Sequence, residues 1–119
     1  MEPTSFPLLP DTAELVGGEL VLGGIRATEL AREFGTPLVV YDELTLVEQA
    51  RAYRTAAPEA LVVYGTKAFP SLAVLRLFAE EGLGADVSTA GELEFARRAA
   101  IPGDRLVVHG NNKEDELLR

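Results

Sequence analysis

Apolar residues along the chain fall into short clusters separated by glycine, proline and small polar residues. The spacing within each cluster predicts its element. Residues 1–12 carry Pro3, Pro7 and Pro10 and predict an irregular arm. From Glu14 to Ile25, two apolar runs flank Gly17-Gly18, a pair suited to a tight primed turn, so a β-hairpin is expected. Thr28 is placed to cap a short helix from Glu29 to Phe34, with Gly35 as its stop and Pro37 preventing continuation. Pro37-Leu38-Val39-Val40-Tyr41 reads as a strand. Asp42 then opens a helix of about 13 residues, with Leu44, Val47, Ala50 and Tyr53 or Arg54 on one face. Pro58 closes that segment.

Beyond Pro58 the pattern becomes regular. Leu61 to Tyr64, Ala85 to Ser88 and Leu106 to His109 are short apolar strands. Between them lie helical patterns from about Ser71 to Glu81 and from about Ala90 to Ala100, the second opened by Thr89 and Glu92 at capping-box spacing. Asn112 is a good cap for a further helix beginning at Lys113. Strand alternating with helix, at a strand spacing of roughly twenty residues, predicts consecutive βα units of a parallel sheet. The strands are apolar throughout rather than alternating, as expected where helices cover a sheet. The fold class is therefore α/β.

Composition narrows the function classes. A formal net charge of −8 with scattered basic residues argues against a nucleic-acid surface. The absence of cysteine excludes a disulfide scaffold, a thiolate zinc site and a cysteine nucleophile within these 119 residues, and fits the cytoplasm. One histidine and dispersed carboxylates make a metal site unexpected. No apolar run approaches a membrane span, and Met1 to Pro10 lacks the basic start of a signal peptide, so neither membrane insertion nor a leader is expected.

In parallel α/β architectures, chemistry gathers at the carboxyl ends of strands. Three clusters stand there: Gly65-Thr66-Lys67-Ala68, Asp86 through Glu92, and His109-Gly110-Asn111-Asn112-Lys113. A lysine where a buried strand emerges can be a Schiff-base residue whose partly desolvated amine adds to an aldehyde, or a rim lysine snorkelling to water. Spacing leaves both readings of Lys67 open. Asp86 could orient or charge-balance Lys67 from the next strand, or simply begin a loop. Ser88 could touch a ligand or enter a turn. His109 could move a proton or satisfy local hydrogen bonds. Glu92 is explained by its capping box, and no phosphate-binding GxxxxGK[ST] loop is present.

Four motifs in fixed order carry a family resemblance: Gly35-Thr36-Pro37-Leu38-Val39-Val40-Tyr41-Asp42, Tyr64-Gly65-Thr66-Lys67-Ala68, Gly84 through Leu93, and His109-Gly110-Asn111-Asn112-Lys113. Together they resemble the N-terminal part of the diaminopimelate decarboxylases, within the fold-type-III (alanine-racemase-like) pyridoxal-phosphate enzymes. The resemblance implies the opening of a pyridoxal-phosphate-binding (β/α)8 TIM barrel, incomplete in this chain. Residues 1–42 would be an arm and strands of a β-domain, and residues 43–119 the first βα units of the barrel. It implies that Lys67 holds pyridoxal phosphate as a Schiff base, with Asp86, Ser88 and His109 in the cofactor site. The implied reaction is decarboxylation of meso-2,6-diaminopimelate to L-lysine by a cytoplasmic homodimer, with no nucleic-acid or membrane partner. Related decarboxylases of ornithine or arginine, and racemases of the same fold, are the neighbouring alternatives. A non-catalytic α/β binding or assembly module is the alternative of a different class. The remaining parts of the family's site lie in later strands, the C-terminal domain and the partner subunit, so these 119 residues alone are expected to be inactive. An unpaired sheet edge is expected to leave them marginally stable.

Overall fold

The computed structural model describes residues 8–111 and 113–118. The chain divides into two compact units, 1–49 and 50–119. The first contains strands β1 (Glu14–Val16), β2 (Glu19–Leu22) and β3 (Ile25–Arg26) and helix α1 (Ala27–Phe34). Helix α2 (Glu43–Ala56) runs across the division. The second contains β4 (Val63–Gly65), α3 (Leu72–Glu80), β5 (Gly84–Val87), α4 (Ala90–Arg98), β6 (Leu106–Val108) and α5 (Asp115–Leu118).

In the first unit β1, β2 and β3 form an antiparallel sheet in that order. The β1–β2 turn is the expected one. Val16 pairs with Glu19, and Gly17 and Gly18 have φ of 62° and 81°, which the primed turn requires at both central positions. Gly23-Gly24 repeats the device with φ of 55° and 82°, which adds β3 to the predicted hairpin. Two expectations fail here. Thr28 does not cap α1. The helix begins earlier, at Ala27, and the Thr28 hydroxyl donates to the Glu19 carboxylate, which Arg26 also contacts. Those two donors, Thr28 first, hold Glu19 below the usual carboxylate range. The run 37–41 forms no strand. Among the described residues neither sheet takes it as a neighbour, and without a ladder its apolar residues stay exposed, Val39 at 79%.

Asp42 caps α2 as predicted, its Oδ1 accepting the Thr45 N–H at 2.8 Å. Its other oxygen accepts from the Thr12 hydroxyl at 2.7 Å. Burial opposes ionisation of Asp42, but these hydrogen bonds outweigh it and hold the carboxyl below its ordinary value. The predicted face of α2 is only partly realised. Ala50 is buried, whereas Leu44 and Tyr53 remain exposed.

In the second unit β4, β5 and β6 form a parallel sheet in sequence order, the predicted βα rhythm. β4 is displaced to Val63–Gly65 from the expected Leu61 to Tyr64. Helices α3 and α4 supply Leu75 and Ala96 to a core with Ala85, Val87, Ala99 and Ile101, against which Tyr64, Leu72, Leu93 and Leu106 pack. Alternation along β5 then sends Ala85 and Val87 to the core, and Gly84, Asp86 and Ser88 to the opposite face. Gly84 is required by close approach. A Cβ there would lie 2.1 Å from the Arg105 carbonyl oxygen. Helix α4 begins with the full capping box between Thr89 and Glu92. The last helix starts at Asp115 rather than Lys113, and its expected cap Asn112 lies outside the described residues.

Candidate functional site

The three strand ends of the parallel sheet converge on one short stretch of polar residues. Register places Gly65 beside Asp86, and Asp86 beside Val107. After Gly65 the chain leaves the ladder in a 3-10 turn, Thr66–Ala68. Gly84 donates its N–H to the Val62 carbonyl, so by alternation the polar backbone of Asp86 is also turned toward β4. Gly65 gives that backbone its last rung. The hydroxyl of Thr66, fully buried, adds a donor to the Asp86 carbonyl at 2.7 Å. Sequence reasoning passed over Thr66. The available signal was a hydroxyl residue directly after an apolar strand, where a ladder ends and a carbonyl needs a donor.

Lys67 follows in the same turn. It is exposed, and among the described residues its amine has no hydrogen-bond or ion-pair partner. The burial expected for a Schiff-base lysine is therefore not supplied by the described residues. Asp86 and His109 do meet: His109 Nδ1 lies 3.2 Å from Asp86 Oδ2. The pairing follows from the register, because Asp86 and His109 stand on the same face of adjacent strands, away from α3 and α4. Asp86 Oδ1 is buried and, among the described residues, has no hydrogen-bond partner. A buried carboxylate oxygen without a donor is costly, and marks a place where a further polar group belongs.

Ser88 is half-buried just beyond β5. Its N–H donates to Glu92 Oε2, which also accepts the Thr89 N–H at 3.1 Å. Glu92 therefore does more than complete a capping box; it fixes the backbone of a candidate site residue. The Ser88 carbonyl accepts from Lys113 Nζ at 2.5 Å, a contact from the loop after β6 that no local pattern announces. Among the described residues no helix is long and apolar enough to cross a membrane.

Comparison with known proteins identifies the family of the chain. Residues 43–119 match the family described as pyridoxal-dependent decarboxylase, pyridoxal binding domain. The chain is 51% identical over 112 residues to a diaminopimelate decarboxylase of Actinosynnema pretiosum subsp. auranticum, covering 94% of this chain and 26% of that protein. It is 44% identical over 106 residues to a diaminopimelate decarboxylase of Bacillus subtilis (strain 168), covering 86% and 24%. Among solved structures it superposes on AQ1208 from Aquifex aeolicus with a TM-score of 0.85 at 41% identity, covering 88% of this chain and 26% of that one. It also superposes on a diaminopimelate decarboxylase from M. jannaschii in complex with L-lysine, with a TM-score of 0.77 at 35% identity, covering 92% and 27%. The chain thus spans about a quarter of the length of the relatives it matches. Its α/β fold is that of the N-terminal region of these decarboxylase structures, the opening part of their barrel. The chain belongs to the pyridoxal-dependent decarboxylases, residues 43–119 to their pyridoxal-binding domain, and pyridoxal phosphate is the cofactor this membership implies.

Proposed function

We propose that this chain provides the cofactor-attachment part of a diaminopimelate decarboxylase, which releases CO2 from meso-2,6-diaminopimelate and leaves L-lysine. The observation that carries the reading is a pair of groups at adjacent strand ends. One is the exposed amine of Lys67, and the other is the buried Oδ1 of Asp86, both without a partner among the described residues. An amine open to an aldehyde, with a carboxylate oxygen lacking a donor on the next strand end, fits pyridoxal phosphate in chemical type. The names of the relatives support the substrate, and so does the L-lysine held by one structural neighbour.

In this reading Lys67 would hold pyridoxal phosphate through its aldehyde, and its amine would be placed to hold or move a proton at the substrate. When bound, pyridoxal phosphate supplies a conjugated ring that takes up the electrons left as CO2 departs. Asp86 would accept a hydrogen bond from a bound group through Oδ1, and it orients the His109 imidazole through Oδ2. Ser88 offers its hydroxyl from the neighbouring loop. Residues 1–42 act as an arm and strands of a β-domain, and residues 43–119 as the first βα units of the barrel. The working form is a cytoplasmic homodimer.

The test is to load the complete protein with pyridoxal phosphate, reduce with borohydride and map the labelled peptide. Label on Lys67 is expected; label elsewhere, or none, overturns the attachment. Side-by-side feeding of meso-diaminopimelate, ornithine and arginine decides the substrate, and faster CO2 release from ornithine would move the chain to a sister activity. Sedimentation of the complete protein at working concentration reads the dimer.

A further inference from the structure

We propose that Lys113 is a positioning residue that locks the loop after β6 to the loop after β5, and so sets Ser88 and His109 relative to each other. Ser88 is held at both polar atoms of its backbone by charged side chains from two different segments. The Glu92 carboxylate takes its N–H from within α4. The Lys113 ammonium takes its carbonyl at 2.5 Å, from the segment between β6 and α5. The signs match the backbone dipole, anion on the donor and cation on the acceptor, which makes both bonds charge-assisted. One residue earlier, the Val87 carbonyl accepts the His109 N–H at 2.8 Å. The two loops are thus joined at consecutive carbonyls, directly after Asp86, whose carboxylate meets the His109 ring.

The end of the Lys113 side chain passes over Gly110, where a Cβ would lie 2.8 Å from Nζ and 3.2 Å from Cε. Gly110 has φ of 110°, which residues with a side chain rarely adopt, so the loop that Lys113 crosses is turned by a glycine. A compact ammonium on a flexible stem suits that close passage better than a planar guanidinium.

The inference rests on the decarboxylase reading for its catalytic readout, but not for its structural one. In the complete, cofactor-loaded protein, Lys113→Met is expected to raise hydrogen exchange of the segment 87–92 by about tenfold. It is expected to lower kcat by about tenfold or more while leaving KM within about twofold and Lys67 still labelled by borohydride. Lys113→Arg, which keeps a cationic donor, recovers part of both losses. Should Lys113→Met fail to fold, Lys113→Gln carries the same measurements. Unchanged exchange in 87–92 overturns the tie, and raised exchange with unchanged kcat overturns its positioning role. If the unmodified protein releases no CO2 from meso-diaminopimelate, the substrate reading falls, and the exchange result still decides Lys113.

Discussion

Replacing Thr66 by valine removes one hydroxyl hydrogen bond and changes the shape of the side chain hardly at all. The Thr66 side chain is fully buried and its Oγ1 donates to the Asp86 carbonyl at 2.7 Å. That carbonyl lies beside Gly65, the last residue of β4, and valine takes the hydroxyl donor away from it. A buried acceptor that loses its donor costs about 1–3 kcal/mol. The methyl that replaces the hydroxyl returns roughly 0.8 kcal/mol at most. The expected net loss is about 0.2–2.2 kcal/mol, with a midpoint near 1.2 kcal/mol. Thr66→Ser is the control. It keeps the donor and loses one methyl, a cost of roughly 0.8 kcal/mol with a small cavity contribution. Urea unfolding should therefore rank the wild type above Thr66→Ser, and Thr66→Ser above Thr66→Val, with an unchanged slope. Lys67 is the next residue, and Asp86 carries the bonded carbonyl. The valine variant should therefore also slow cofactor attachment at Lys67, read as the rate of borohydride-trapped label. A valine variant as stable as wild type, or more stable than the serine variant, would show that Thr66 is retained for packing and would refute the reasoning.

Gly84→Ala places a Cβ 2.1 Å from the Arg105 carbonyl oxygen, a backbone atom that cannot swing aside. A loss of roughly 3 kcal/mol in urea unfolding is expected, and a loss under about 1 kcal/mol would mean that the β5–β6 edge yields easily. Thr89→Ala breaks the capping box of α4 and should cost about 1 kcal/mol, measured the same way; a neutral result would show that Glu92 alone carries the helix start. Glu94 is bound first by Arg97 and then by Arg98, and is held down to about 2 from 4.5. Because its folded value is the lower one, its contribution to stability is fully present above pH 4.5 and is lost as pH falls toward 2. The three side chains are well exposed, so the effect should be small and should shrink with added salt. Glu94→Gln should flatten stability against pH in that window, and an unchanged slope would refute the assignment.

Features set by neighbours in sequence were legible before any coordinates. Gly17-Gly18 announced its turn because only residues free to take positive φ make that turn without strain. Thr89 with Glu92, and Asp42 ahead of an apolar helical face, announced their helix starts because a cap lies within three residues of the N–H it satisfies. The parallel sheet followed from apolar runs too short to be helices, alternating with helical spacing. Lys67, Asp86, Ser88 and His109 could be marked as candidates because strand ends are where such sheets expose polar residues. The run 37–41 was misread for the complementary reason. Its composition suits a strand, but a strand exists only where a second ladder accepts it. Thr28 was misread because a local cap lost to a carboxylate on β2.

By itself, then, the sequence determined the order of strands and helices from Asp42 onward, the Gly17-Gly18 turn, the caps at Asp42 and Thr89, the parallel class of the second sheet and the residues at its strand ends. Each of these depends on backbone preferences or on contacts within a few positions of the chain. The tertiary structure alone decided that Asp86 meets His109, that Thr66 completes the ladder for Asp86, and that Lys113 reaches Ser88 across Gly110. Those contacts join residues separated by about twenty positions or more, and they arise from strand register and from which face each side chain takes. No local periodicity encodes that, because register is a property of two strands and not of either one.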